Sequence, residues 1–170
     1  MYDLVIVGGG AAGLTAALYA SRSGLDCIVL DPSSPEGSSI ALTDAVENYT
    51  GFSDIAGFDL IQHFYSHAKS FGANFVRQSL VGIRKNYDGF ILECSDSEVK
   101  TKSVILCMGA THKKLGIDGE SKFEGRGVSY CAVCDGYFFK DKTVAVIGGG
   151  NTAVPDRSPR FFLHQQEVAR

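Results

Sequence analysis

The sequence lacks the features of nucleic-acid-binding, membrane-spanning and secreted proteins. Its 16 basic and 19 acidic residues give a net charge of −3 without a basic stripe, so we expect no nucleic-acid partner. The apolar stretch 14–20 is far shorter than the roughly 20 residues that a membrane span needs, so no membrane partner is expected. The opening Met1-Tyr2-Asp3 lacks the basic region of a signal peptide. We therefore expect a cytoplasmic protein.

Tryptophan is absent, which decides nothing, and the five cysteines are an odd number. In a reducing compartment they are expected to be free or redox-active thiols, not a structural disulfide framework. With 170 residues, 45% of them hydrophobic, the chain has the composition of one or two small globular domains.

Glycine, in contrast, is abundant: there are 20, and two clusters stand out as turns. The first cluster begins at Gly8, directly after the apolar run 4–7. An alanine- and leucine-rich helix is predicted next, ended by Gly24, and a second apolar run, 27–30, follows. Together they predict a βαβ unit of the dinucleotide-binding kind.

The spacing Gly8-x-Gly10-x-x-Gly13 has a physical reason at each position. Gly8 permits the tight turn, Gly10 lets the backbone approach a pyrophosphate, and Gly13 allows close helix–strand packing. The helix N-terminus, with Ala11 and Ala12 in its first turn, supplies N–H groups for phosphate. Asp31, 18 residues after Gly13, is placed to accept hydrogen bonds from a ribose. A strand–turn–helix without a ligand is the alternative.

The middle of the chain changes from helix to strand. Residues 58–71 show an apolar period close to that of a helix. Residues 75–106 read as short strands, with a hairpin signal at Asp88-Gly89, and the last strand runs into 107–110. Residues 113–130 are predicted to be a Gly-rich, charged connector, with the charges around Lys113 and Lys114 exposed.

A third apolar run, 143–147, is predicted to be a buried strand. It feeds a second fingerprint, whose candidate nucleotide-binding residues are Gly148, Gly150, Asn151, Thr152 and Ala153. The helix expected from Gly150 meets Pro155 in about its first turn and Pro159 soon after. Residues 155–170 have no clean apolar period from which a helix or strand can be predicted.

Between the two fingerprints lies the pair Cys131-x-x-Cys134, followed by Asp135. The pair is a redox dithiol, half of a zinc site, or two unrelated thiols. A zinc site needs four ligands, and no second pair is spaced to complete one. His63 and His67 lie four residues apart on a helix, where a solvated face is the simpler interpretation. No metal is therefore expected. In the redox interpretation, Asp135 could take or give a proton.

The remaining cysteines are expected to be structural, with Cys27 and Cys107 in buried strands and Cys94 at the end of a hairpin strand.

These motifs closely resemble those of the low-molecular-weight, bacterial-type thioredoxin reductases. The resemblance covers residues 1 to about 154, and the segments that carry it are 3–13, 43–52, 107–110, 131–136 and 144–154. It implies an α/β FAD/NAD(P)-binding Rossmann-like fold in three layers (ββα).

The resemblance also implies an oxidoreductase and assigns the cofactors and roles. FAD is expected on the first fingerprint and NADPH on the second, with Asn48, Gly109 and Ala110 lining the flavin site. Electrons would pass from NADPH through FAD to a Cys131–Cys134 disulfide and on to thioredoxin. Cys134 would be the thiol nearer the flavin, Cys131 the one that attacks thioredoxin, and Asp135 the proton donor. A homodimer is the expected assembly.

The family continues well beyond the second fingerprint, so we expect a truncated chain with an incomplete second nucleotide-binding domain. A shift of reading frame after Val154 is one hypothesis for the abrupt change of sequence pattern at Pro155. The expected domains are 1–110, the N-terminal part of the FAD domain; 111–154, the start of the NADPH domain with the dithiol; and 155–170, an aberrant tail. Two alternatives stay open. One is a peroxiredoxin-reducing flavoprotein. The other is a non-catalytic fragment that binds nucleotide weakly or pairs with a full-length subunit.

Overall fold

The computed structural model describes residues 1–33, 35–140, 142–148 and 164–165. The chain forms two compact units, Met1–Thr111 and His112–Arg170. They are called the first and second unit below, and each is described by itself.

The first unit alternates strands and helices before a run of strands. Its elements are β1 (Tyr2–Val7), α1 (Ala11–Arg22), β2 (Cys27–Leu30), α2 (Gly57–Ser70), β3 (Asn74–Val76), β4 (Leu80–Asn86), β5 (Gly89–Cys94) and β6 (Glu98–Leu106). They form one sheet in the order β3-β2-β1-β6-β5-β4. The predicted βαβ unit, the helix over 58–71 and the β-rich run are all confirmed.

Strand β6 joins two kinds of sheet. Its second half pairs in parallel with β1, from Thr101 opposite Tyr2 to Leu106 opposite Val7. Its first half pairs antiparallel with β5, from Glu98 to Thr101, so that β4, β5 and β6 form a meander. Thr101 lies where the two halves meet and is fully buried.

The parallel strands have an apolar core on each face, because β1 and β2 are buried on both sides. On one face, Leu4, Ile6 and Val29 pack with Ala17 of α1 and Ala68 of α2. On the other face, a second cluster joins these strands to the meander; its buried members are Val5, Val7, Ile28, Leu30 and Leu92. The helices, the parallel strands and the meander are thus three layers, as the resemblance implied.

Both predicted turns are present, and the first has the expected glycine geometry. Gly24 follows α1 with φ +74°, and the backbone N–H of Leu25 donates to the carbonyl of Ala20 at 3.1 Å. The predicted hairpin connects β4 and β5, but its two-residue loop is Tyr87-Asp88, because Gly89 is the first residue of β5 and pairs with Asn86.

The second unit departs from the predictions. Its elements are α3 (Glu120–Phe123), α4 (Ala132–Asp135), a 3₁₀ helix (Gly136–Phe139), β7 (Thr143–Val144) and β8 (His164–Gln165). The predicted buried strand 143–147 is wrong in length and burial: β7 has two residues, and Ile147 is 59% exposed. A buried parallel strand needs neighbours on both edges. Within the described residues, β7 pairs only with β8. Strand β8 lies in the segment 155–170, for which the sequence predicted neither helix nor strand.

Candidate nucleotide and dithiol sites

The first glycine turn is closed by steric contacts. Gly8 has φ +103°, and a Cβ added there would overlap the carbonyl oxygen of Cys107. A Cβ on Gly13 would overlap the carbonyl oxygen of Gly8. The turn after β1 therefore packs directly against the start of α1 and the end of β6, and neither position has room for a side chain.

Gly10 is different, because its surroundings are open. It precedes α1 with φ −75°, and a Cβ there would lie 3.9 Å from Ser38 Cβ, which is an ordinary contact. The first-turn N–H groups of α1, including those of Ala11 and Ala12, have no partner four residues earlier in the helix. Open space before a helix N-terminus suits a phosphate group.

Asp31 lies directly after β2 and organises the same turn. Its carboxylate accepts the backbone N–H of Gly9 at 2.5 Å and that of Ser33 at 2.8 Å. The Ser33 hydroxyl donates to the same carboxylate at 3.3 Å. A carboxylate offers about four acceptor positions, so one remains for a ribose hydroxyl. Asp31, the residue predicted to bind the ribose, thus also holds the glycine turn in place. The contact joins Asp31 and Gly9, which are 22 residues apart, and the motif alone does not reveal it.

The flavin-lining residues predicted from the resemblance lie at two places. Gly109, with φ +71°, and Ala110 follow β6, and both are exposed. Because β6 runs parallel to β1, this segment leaves the sheet at the same edge as the Gly8 turn, and the Cys107 N–H donates to the Val7 carbonyl at 2.7 Å.

Asn48 is exposed on the loop between β2 and α2, within the bridge that pairs Val46 with Ile55. Aromatic rings join this loop to α2: Tyr49 contacts Phe64 at 5.4 Å, and Phe52 stacks on His63 at 5.7 Å between ring centroids. His63 and His67 are both exposed, as predicted for a solvated helix face, and the His63 ring also packs against this loop. The sequence analysis missed this aromatic cluster.

In the second unit, Cys131 and Cys134 form a disulfide, with their Cα atoms 5.3 Å apart. Cys131 precedes α4, and its sulfur accepts the backbone N–H of Cys134 at 3.2 Å. Cys134 is exposed and Cys131 half-buried. Zinc binds thiolates, which a disulfide does not offer. In the described part of the chain, no three His, Cys, Asp or Glu side chains are grouped to hold a metal ion.

Asp135, the predicted proton donor, is half-buried at the end of α4. Its carboxylate accepts the hydroxyl of Ser129 at 2.5 Å, and Ser129 Oγ accepts the backbone N–H of Cys131 at 3.1 Å. Sequence reasoning did not single out Ser129, although its place two residues before the dithiol was a usable signal.

The segment before the dithiol is organised around Glu120, which is only 4% exposed. Glu120 accepts the Tyr130 hydroxyl at 2.7 Å and the backbone N–H groups of Leu115 and Gly116 at 2.8 and 2.7 Å. These bonds lower the pKa of Glu120, and the bond from the Tyr130 hydroxyl has the largest effect. The same bond raises the pKa of Tyr130 to about 12. Tyr130 stacks on His112 with 5.0 Å between centroids.

Lys113 and Lys114 are exposed, as predicted for this connector, and Lys114 pairs with Glu124 at 2.7 Å. The connector also contains a buried carboxylate, that of Glu120, which the sequence did not reveal. A carboxylate is buried only when its oxygens are satisfied, and here three donors converge on it. The residue immediately before Cys131 is thereby held in place.

The three other cysteines are unpaired thiols. Cys27 is buried in β2, as predicted. Cys94 ends β5, and burial raises the pKa of its thiol, with Asp96 adding to the effect. Cys107 lies just beyond β6 and is half-buried, not inside a buried strand; burial also raises its pKa. A raised pKa lowers the fraction of thiolate, which is the reactive form of a cysteine.

Part of the second fingerprint lies outside the described residues. Gly148 is exposed, with φ +121°. Gly150, Asn151, Thr152 and Ala153 belong to the residues that the structure does not describe. Among the helices it does describe, none is long and apolar enough to cross a membrane.

Comparison with known proteins extends these observations. The family model for pyridine nucleotide-disulphide oxidoreductases matches residues 2–155. The chain is 42% identical over 156 residues to the thioredoxin reductase of Bacillus subtilis, covering 92% of this chain and 49% of that protein. It is 46% identical over 153 residues to that of Treponema pallidum, covering 89% and 50%.

A solved structure, that of thioredoxin reductase from Streptococcus pyogenes, matches with a TM-score of 0.86 and 39% identity over 92% of this chain and 51% of the other. The chain thus spans about half the length of the curated relatives it matches.

Proposed function

Since this chain belongs to the pyridine nucleotide-disulphide oxidoreductase family, we propose that it is a thioredoxin-disulfide reductase-like flavoprotein. In this proposal the Cys131–Cys134 disulfide takes electrons from NADPH through FAD and passes them to thioredoxin. The observation that carries it is the Cys131–Cys134 disulfide itself, with Asp135 directly after it in the chain.

The first unit offers a site that fits FAD. The Gly8–Gly13 contact keeps side chains out of the turn, Gly10 leaves space before α1, and Asp31 retains acceptor capacity. We assign the pyrophosphate to the N-terminus of α1, the ribose to Asp31, and further flavin contacts to Asn48, Gly109 and Ala110. When bound, FAD supplies two-electron transfer between a nicotinamide and the disulfide. NADPH is assigned to Gly148, Gly150, Asn151, Thr152 and Ala153.

The chain's own chemistry is thiol–disulfide exchange. Two electrons and two protons convert the Cys131–Cys134 disulfide to two thiols. The Cys131 thiolate then attacks the partner's disulfide, and Cys134 resolves the mixed disulfide, releasing the partner as a dithiol. Asp135 supplies and accepts protons at the sulfurs. The three unpaired cysteines agree with a reducing, cytoplasmic location, and a homodimer is the proposed assembly.

A second candidate is a non-catalytic fragment that binds nucleotide weakly or pairs with a full-length subunit. It is favoured by one observation: the chain covers 49% of the relative from B. subtilis. Catalysis needs both cofactors held in geometry, and the matched part is only about half of that relative.

Purification of the chain separates the two candidates. The reductase proposal expects visible flavin absorption and NADPH-dependent reduction of oxidised thioredoxin. The matched control, Cys131→Ser, is expected to keep the flavin and lose disulfide reduction. A colourless protein with no such activity after FAD is added would reject the reductase proposal for this chain and support the fragment.

A further inference from the structure

Ser129 connects the two ends of the dithiol segment. Its hydroxyl lies 2.5 Å from Asp135 Oδ2 and 3.3 Å from the Cys131 carbonyl oxygen. One hydroxyl carries one proton, and a bond to a charged acceptor is about twice as strong as a neutral one, so the carboxylate is the preferred acceptor. The Ser129 hydroxyl oxygen also accepts the backbone N–H of Cys131. Ser129 thus ties the Asp135 side chain to the backbone of the first cysteine.

The backbone of this segment is fixed independently of that bond. The N–H of Asp135 donates to the Cys131 carbonyl at 3.0 Å, and that of Cys134 to the same oxygen at 3.2 Å. These bonds set the main chain but leave the rotamer of the Asp135 carboxylate open. In the part of the chain that the structure describes, Ser129 is the side chain that donates to this carboxylate.

Ser129 and Asp135 both line a cavity of about 340 Å³ within the second unit, together with Tyr130 and Ala132. The carboxylate is therefore open to exchange protons with water or with a small molecule. A carboxylate that transfers protons must be accessible to the groups that exchange them, and it must also be oriented toward them. The hydrogen bond from the Ser129 hydroxyl fixes the orientation of the Asp135 carboxylate.

We propose that Ser129 is a positioning residue that holds the Asp135 carboxylate in the orientation in which it carries a proton during thiol–disulfide exchange. The inference rests on the proposed redox function of Cys131 and Cys134. In exchange with a small disulfide, the Cys131 thiolate attacks one sulfur and releases the first thiolate. Cys134 then attacks Cys131, re-forming the intramolecular disulfide and releasing the second thiolate. Two protons pass from the dithiol to the leaving groups, one through Asp135 and one through solvent.

The test is a single-turnover reaction that needs no cofactor. The full chain is reduced with dithiothreitol, desalted and mixed with oxidised glutathione between pH 5 and 9. Samples are quenched with N-ethylmaleimide, and the Cys131–Cys134 peptide is quantified by mass spectrometry, which separates it from the three other thiols. The variants are Ser129→Ala, Ser129→Thr, Asp135→Asn and the double variant Ser129→Ala/Asp135→Asn.

Loss of a hydrogen bond to a charged group predicts that Ser129→Ala is about tenfold slower, with an altered pH profile. Ser129→Thr keeps the hydroxyl and should react within about twofold of the native chain. In the Asp135→Asn background, Ser129→Ala should change the rate by less than about twofold, because the serine acts through the aspartate.

Three results would overturn the inference alone: an unchanged rate in Ser129→Ala, an equal loss in Ser129→Thr, or the same tenfold loss in the Asp135→Asn background. If the native reduced chain does not react with oxidised glutathione, the proposed redox function fails, and the inference falls with it.

Discussion

At the scale of single residues, the first glycine turn separates two tasks that one motif usually merges. Gly13 is needed for packing, because its Cβ would meet the Gly8 carbonyl. Gly10 has room for a methyl group and a φ of −75° that any residue adopts. Substitutions at the two positions should therefore have different consequences, although both replace a fingerprint glycine by alanine.

We predict that Gly13→Ala lowers the free energy of unfolding by about 1–3 kcal/mol, the usual cost of forcing a methyl group into a packed site. Gly10→Ala, the matched control, should leave the stability of the unliganded chain within about 0.5 kcal/mol. Urea unfolding followed by circular dichroism measures both. Equal stability of the two variants would mean that the close contact between α1 and the β1 turn is not a constraint.

The glycine positions could be predicted from the sequence because their causes are local: a tight turn and a helix start within a few residues. The contacts of Asp31 with Gly9 and of Glu120 with Tyr130 could not. They involve residues of turns and of the single-turn helix α3, where no periodic pattern exists, and such pairing depends on how the chain folds back.

At the scale of elements, the meander packs on the parallel sheet through one face of β5, in addition to the pairing of β6 with β1. Leu92 is fully buried and packs in the cluster that contains Val5, Val7, Ile28 and Leu30. The strands themselves were predictable from β-rich runs and a hairpin signal. The two-residue length of β7 was not, since whether an apolar run pairs as a strand depends on the neighbours it finds.

We expect Leu92→Ala to destabilise the first unit by about 2–5 kcal/mol, because it removes buried methyl groups and leaves a cavity between two layers. Val81→Ala on the neighbouring strand is the control: Val81 is 74% exposed, so the change should stay within about 0.5 kcal/mol. Thermal unfolding of the two variants distinguishes them. A small effect at Leu92 would show that the meander contributes little to holding the first unit together.

At the scale of the whole molecule, nucleotide binding and folding are linked through mass action. A ligand that binds only the folded state at 100 times its Kd adds about 2.7 kcal/mol of stability. For a chain of this size, that corresponds to a rise in Tm of roughly 5–10 °C. The proposed FAD site can therefore be tested without any measurement of catalysis.

We predict that FAD raises the Tm of the native chain with increasing concentration, and that Gly10→Ala loses most of this rise while keeping its unliganded Tm. The reason is that a methyl group before α1 occupies the space through which a pyrophosphate reaches the helix N–H groups. Riboflavin lacks the pyrophosphate, so it should give no comparable rise with either protein. Differential scanning fluorimetry over a series of ligand concentrations provides the measurement. If riboflavin and FAD stabilise the chain equally, or if Gly10→Ala responds like the native protein, the pyrophosphate does not bind at this helix, and the first fingerprint is a structural turn.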